Sequence, residues 1–122
     1  MTANKDLMAL YGAELLAVAN DNDCDLFYEA SVAGGIPVLR GLVDGFSSDL
    51  ITKVMGIVNG TTNFILTKMS QMKGWSYDEV LQEAQQFGFA EADPTSDVDG
   101  LDAARKVAIF ATFGFSMNVL FG

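Results

Sequence analysis

The chain has 122 residues, 50% of them apolar, and its 16 acidic against 7 basic side chains leave a net charge of −9. That length is one domain's worth of chain with enough apolar material for a core, and the modest charged fraction excludes a disordered polymer. The acidic balance repels phosphate and excludes nucleic acid as an expected partner, and no apolar run reaches the roughly 20 residues of a helical membrane span.

The absence of histidine rules out Ser-His and Cys-His catalysis and most zinc sites. A single cysteine, Cys24, cannot form an internal disulfide and fits a reducing compartment. No secretory leader pattern opens the chain, so a cytoplasmic location is expected.

In chain order, Asn4 is placed to cap a helix whose apolar positions are Leu7, Leu10, Tyr11 and Leu15. Gly12 weakens that helix by about 1 kcal/mol relative to alanine. Asp21, Asp23 and Asp25 mark an acidic turn. Leu26-Phe27-Tyr28 reads as a short buried strand, followed by a glycine-rich connection to Pro37. Pro37 favours the first position of a helix that buries Val38, Leu39 and Leu42. The β-branched run within Asp49–Val58 predicts a second strand, ended by Asn59-Gly60.

Thr61 or Thr62 then starts a helix with Ile65, Met69 and Met72 on one face, the methionines as core filler. Ser76 and Glu79 form a capping box, with Trp75 and Val80 at the staple positions. Tyr77, Val80, Leu81 and Ala84 share a helix face, and Gly88 is the expected stop. An acidic loop spans Glu91–Gly100. A last helix runs from Leu101 to Phe115, its uncharged half from Val107 expected to be buried all round. Strands and helices mix without regular alternation, which predicts an α+β fold, helices packed on a partial mixed sheet, or else half of an α/β protein.

Several features bear on chemistry. The carboxylates of Glu91, Asp93, Asp97, Asp99 and Asp102 repel one another unless solvated or paired with cations. A calcium loop is excluded by register: with Asp97 and Asp99 at its third and fifth positions, Thr95 and Lys106 fall where acidic ligands belong. Asp102 and Lys106 share a helix face. They form either a surface pair worth roughly 0.2–0.5 kcal/mol or, among Ala103, Ala104, Val107, Ala108 and Ile109, a lysine set up to give and take a proton. Glu29 and the turn after it are either a tight connection or a site where carbonyls hold a hard ion such as Na⁺. No G-x-G-x-x-G or G-x-x-x-x-G-K-[ST] motif is present, so the chain shows no phosphate cradle of its own.

Taken together, Thr2-Ala-Asn-Lys5, Tyr28-Glu-Ala-Ser-Val-Ala-Gly-Gly-Ile-Pro37, Gly56-Ile-Val-Asn-Gly-Thr-Thr-Asn63 and Gly88-Phe-Ala-Glu-Ala-Asp-Pro-Thr-Ser-Asp-Val-Asp-Gly-Leu-Asp-Ala-Ala-Arg-Lys106 resemble homoserine dehydrogenases in order and spacing. The resemblance covers nearly all of residues 2–115. It implies NAD(P)-dependent interconversion of L-homoserine and L-aspartate 4-semialdehyde, a step toward threonine and methionine, with NAD or NADP left open. It implies Lys106 and Asp102 as catalytic residues, and Glu91, Asp97, Lys5, Gly60 and Thr61 as substrate-binding residues. Lys5 and Asn4 fall on the nucleotide side, and Glu29, Val32, Gly34 and Ile36 match a monovalent cation site holding Na⁺. Phe89 departs from the tyrosine of many members.

The resemblance further implies that residues 1–28 are the tail of a Rossmann-type dinucleotide-binding domain. Residues 29–122 are then part of the substrate-binding and dimerisation domain. On this expectation the chain is an internal piece of a homodimeric enzyme, inactive alone. The alternatives are a non-catalytic dimerisation or regulatory module of the same family, and an acidic metal-binding domain resting on the loop alone.

Overall fold

A computed structural model of the chain describes residues 1–72 and 74–115. Six α-helices are present among them: α1 (Lys5–Asp21), α2 (Val38–Val43), α3 (Gly60–Gln71), α4 (Tyr77–Gln86), α5 (Thr95–Val98) and α6 (Leu101–Gly114), with a 3-10 turn at Glu29–Ser31. No strand occurs among the described residues, and this overturns the α+β expectation of helices on a mixed sheet. The physical reason lies in pairing. β-branched residues favour a pleated backbone, but a strand exists only when a neighbour completes its ladder. Leu26-Phe27-Tyr28 has one such bond, the Thr2 N–H donating to the Phe27 carbonyl at 2.8 Å, and one bond is not a ladder. The segment 51–58 forms no regular element, and Met55 and Ile57 in it are 78% and 75% exposed.

The chain divides into two compact units, Met1–Met55 with the described residues from Ala104, and Gly56–Ala103. The first is built on α1. Asn4 caps it as expected, its side chain accepting from the Leu7 N–H at 2.9 Å. The buried stripe, however, is Met8, Ala9 and Gly12, while Leu10 and Tyr11 lie exposed. Met8 and Ala9 share a core with Ile109 of α6, Val32 and Leu39, with Phe113 packed against it. Gly12 makes the approach possible: a Cβ there would sit 2.9 Å from Phe113 Cζ. Phe113 is itself held by Tyr28, the ring centroids 4.6 Å apart. An ion pair between Arg105 and Asp6 ties α6 to α1 at the surface. The uncharged half of α6 is not buried all round, because only one stripe meets α1: Ala108 and Ile109 are buried, whereas Val107 is exposed.

The second unit is centred on α3 against α4. Ile65, Val80, Ala84 and Ala90 form its core, flanked by Phe64 and Leu81. Met69 and Met72 fall outside that core. The Lys68 ammonium donates to Glu83 Oε1 at 2.9 Å, joining the two helices, and lies 5.6 Å from the Phe64 ring centroid. The capping box forms as the sequence predicts: Ser76 Oγ accepts from the Glu79 N–H, and the Glu79 carboxylate accepts from the Ser76 N–H at 2.7 Å. Gly88, at φ +73°, ends the α4 segment one residue after its cap.

Two outcomes follow from this packing. Gly12→Ala gains helix propensity but drives a methyl into the Phe113 ring, so it is expected to destabilise the chain by roughly 1 kcal/mol in urea unfolding; Gly12→Ala with Phe113→Leu should recover the loss. The Ser76 backbone and side-chain hydrogen bonds hold the Glu79 carboxyl below its ordinary value of 4.5. Its contribution to stability is therefore present above that ordinary value and is lost as pH falls through the lowered one. NMR titration should find the Glu79 pKa rising toward 4.5 in Ser76→Ala, and an unchanged value would refute the capping geometry.

Candidate functional site

The second unit brings together side chains that lie far apart in sequence. Asn59, immediately before α3, turns its carbonyl oxygen to the Thr62 N–H at 2.7 Å and so caps the helix. Its amide nitrogen donates in two directions, to Asp97 Oδ1 at 2.7 Å and to Asp102 Oδ2 at 2.9 Å. The Thr62 hydroxyl donates to the Asp97 carbonyl at 3.3 Å, and the buried Thr61 hydroxyl donates to the Phe89 carbonyl at 2.7 Å. The expected site residues Gly60, Thr61, Asp97 and Asp102 thus gather at the start of α3.

Local chain geometry explains how the carboxylates reach this place. α5 is one turn long, and Gly100 follows it at φ +77°, a conformation a side chain would strain. α6 therefore restarts at once, with Asp102 in its first turn, where the helix N-terminus favours a negative charge. Asp102 is 7% exposed, so its charge leans on protein partners more than on water. Before α5, Asp93 accepts from the Thr95 hydroxyl and N–H, and these bonds hold its carboxyl below the usual range.

Glu91 is exposed, and its backbone carbonyl accepts from the Gln85 side chain at 3.1 Å. Lys106 stands four residues beyond Asp102 on the continuous helix α6 and is half-buried. Asn59 reads in the sequence as the end of a strand and as one position of the Gly56–Asn63 motif, with no role of its own. The usable signal was its rank among the best N-cap residues, one position before a helix otherwise begun at Thr61 or Thr62.

In the first unit, the expected cation residues occupy the turn before α2. Ala33 and Gly34 both have positive φ, +56° and +58°, which turns the backbone sharply. The Glu29 carboxylate has another occupation: Oε1 accepts from the Leu39 N–H at 2.9 Å and Oε2 from the Arg40 N–H at 2.8 Å, so it caps α2 from outside the helix. Ser31 in this turn is buried and its Oγ has no hydrogen-bond partner. A cavity of about 560 Å³ lies in the same unit, lined by Thr2, Leu26, Tyr28, Glu29, Leu39 and Arg40 among others. Burial, then the charges of Glu29 and Asp44, raise the Tyr28 phenol above its ordinary pKa. Lys5 and Asn4 sit at the start of α1, where the Asn4 side chain is engaged as its cap.

The sequence pattern described as homoserine dehydrogenase matches residues 37–121. A homoserine dehydrogenase of Bacillus subtilis is 73% identical over 98% of this chain, which spans 27% of that protein. One from Lactococcus lactis is 56% identical, the chain covering 28% of it. The crystal structure of a homoserine dehydrogenase from Thiobacillus denitrificans is similar with a TM-score of 0.89 at 47% identity, over 96% of this chain and 27% of that one. A hyperthermophilic archaeal homoserine dehydrogenase in complex with NADPH gives a TM-score of 0.88 at 35% identity, over 95% of this chain and 36% of that one. The chain thus spans 27–28% of the length of these two curated relatives.

The capping geometry of Glu29 can be tested directly. Glu29→Gln keeps the shape but offers the two N–H groups of α2 a single neutral oxygen, and a loss of about 1 kcal/mol is expected in thermal unfolding. No change would mean that the carboxylate is not the cap of α2.

Proposed function

This chain belongs to the homoserine dehydrogenase family, and on that premise we propose that it is the substrate-binding and catalytic segment of an enzyme that interconverts L-homoserine and L-aspartate 4-semialdehyde. Residues 1–28 close a dinucleotide-binding domain and residues 29–122 belong to the substrate domain. The observation that carries the reading is the pair of carboxylates, Asp97 and Asp102, held at one place by Asn59. A concentration of negative charge suits a small substrate that carries an ammonium group, and Glu91 is exposed.

In this reading Glu91 and Asp97 bind the substrate amino group. Gly60 and Thr61 form the turn along which the substrate lies, and the Thr61 bond to the Phe89 carbonyl fixes that turn. Lys106 exchanges the proton at the C4 oxygen: its amine accepts the hydroxyl proton as homoserine is oxidised, and its ammonium returns it in the reverse direction. Asp102, one helical turn earlier, orients the lysine. The hydroxyl of a tyrosine at position 89 is absent, so Phe89 contributes its carbonyl alone.

Lys5, at the start of α1, with Asn4 beside it, fits one edge of an anionic nucleotide, since a helix N-terminus and a cation both favour phosphate. NAD(P), when bound, supplies or takes up the hydride at C4. The carbonyls of Glu29, Val32, Gly34 and Ile36 are hard oxygen donors suited to Na⁺. The partnerless Ser31 Oγ in their turn supports this, while the Glu29 carboxylate is already engaged by α2. Exposed apolar side chains at Leu50, Met55 and Ile57 support assembly as a homodimer. No described helix is long and apolar enough to cross a membrane, and the proposed location is the cytoplasm.

The test is homoserine-dependent NAD(P) reduction by the 122-residue chain and by the Bacillus subtilis enzyme carrying this chain in place of its matching segment. The chain alone should show no turnover and the chimera should be active. Lys106→Ala in the chimera should lower kcat about a thousandfold with the fold intact. A chimera indifferent to Lys106→Ala would reduce Asp102 and Lys106 to an ordinary helix-face pair.

A further inference from the structure

We propose that Asn59 is a positioning residue whose side-chain amide clips the carboxylates of Asp97 and Asp102 to each other and to the N-terminus of α3. The proposal rests on the reading of those two acids as site residues, and assigns the job of holding them to a third side chain.

A primary amide has two N–H donors and one carbonyl acceptor. Here all of them are used, with Thr62 N–H on the oxygen at 2.7 Å and Asp97 and Asp102 on the nitrogen at 2.7 and 2.9 Å. The orientation is forced. With the amide reversed, its oxygen would face two carboxylate oxygens and its nitrogen would face an N–H, so every contact would be repulsive. Two carboxylates that share one nitrogen as their donor are close enough to repel, and the buried Asp102 gains little help from water. The two N–H groups answer that repulsion directly. The third contact anchors the pair to a helix of the unit's core, since α3 carries Ile65.

Neither serine nor aspartate, the other strong N-cap residues, fills all these roles. Serine caps a helix about as well as asparagine but has one short hydroxyl and cannot reach two acids while capping. Aspartate caps equally well but offers no donor when ionised and adds a third negative charge beside two. A purely structural role in capping α3 and a role in positioning the acids therefore predict opposite results for these two variants.

The experiment places Asn59→Ser and Asn59→Asp in the active chimera and measures both kinetic constants for homoserine and the KM for the nucleotide. If Asn59 positions the acids, kcat/KM for homoserine falls about tenfold in Asn59→Ser and about a hundredfold in Asn59→Asp, while the nucleotide KM moves less than about twofold. Asn59→Asp retaining activity equal to or above that of Asn59→Ser overturns the proposal and leaves a helix cap. Should Asn59→Ser fail to fold, Asn59→Asp compared with the parent chimera decides alone. Lys106→Ala is measured in parallel. A chimera that survives Lys106→Ala defeats the functional reading, whereas one that loses activity with Lys106→Ala but tolerates Asn59→Asp defeats only the role of Asn59.

Discussion

Like charges brought together away from water must be answered by donors, and that requirement organises the second unit of this chain. Asp97 and Asp102 share the nitrogen of Asn59, and Asp102 is buried. Three devices offset the repulsion: the amide N–H groups, the N-terminus of α6 around Asp102, and the turn at Gly100 that lets α6 begin immediately after α5. Hydrogen bonds to ionised groups are each worth roughly 1.5–3 kcal/mol, so losing the amide would cost more than losing any surface ion pair in the chain. The result is two acids, Asp97 and Asp102, held at one place, while Glu91, Asp93 and Asp99 stay exposed.

The first unit solves a different problem, that of seating one helix closely on another. Gly12 gives up helix propensity worth about 1 kcal/mol so that the Phe113 ring can lie where a Cβ would be. The core residues Met8, Ala9 and Ile109 gather around that contact, and replacing a buried residue of the size of Ile109 by alanine typically costs 2–5 kcal/mol. The small propensity loss is outweighed. Tyr28 steadies Phe113 from the other side, and the residue after it, Glu29, caps α2, so the glycine-rich turn is fixed at both ends.

Features governed by neighbours in sequence were readable. Asn4, Ser76 with Glu79, and Gly88 act where the sequence places them, because a cap needs only a polar side chain and an adjacent N–H or C=O. Features that need a distant partner were not. The segments around Phe27 and Ile57 have strand composition, yet neither finds a ladder partner among the described residues. The buried face of α1 was misplaced for the same reason: apolar Leu10 and Tyr11 outrank Ala9 and Gly12 on composition, but closeness of approach to α6 selected the small residues. The acids of the candidate site stood out through their spacing, whereas Asn59, which touches both, carried no charge to draw attention.

The sequence by itself determined the family, through long motifs whose order and spacing survive with any packing. It also determined the helix caps and the exclusion of histidine and disulfide chemistry. Only the tertiary structure decided that the chain's regular elements among the described residues are helices alone, that Glu29 spends its carboxylate on α2, and that Asn59 joins Asp97 to Asp102. The division has a physical cause. Composition and local propensity fix what a residue can do, while hydrogen bonds between positions 38 and 43 residues apart exist only once the chain has folded them into reach.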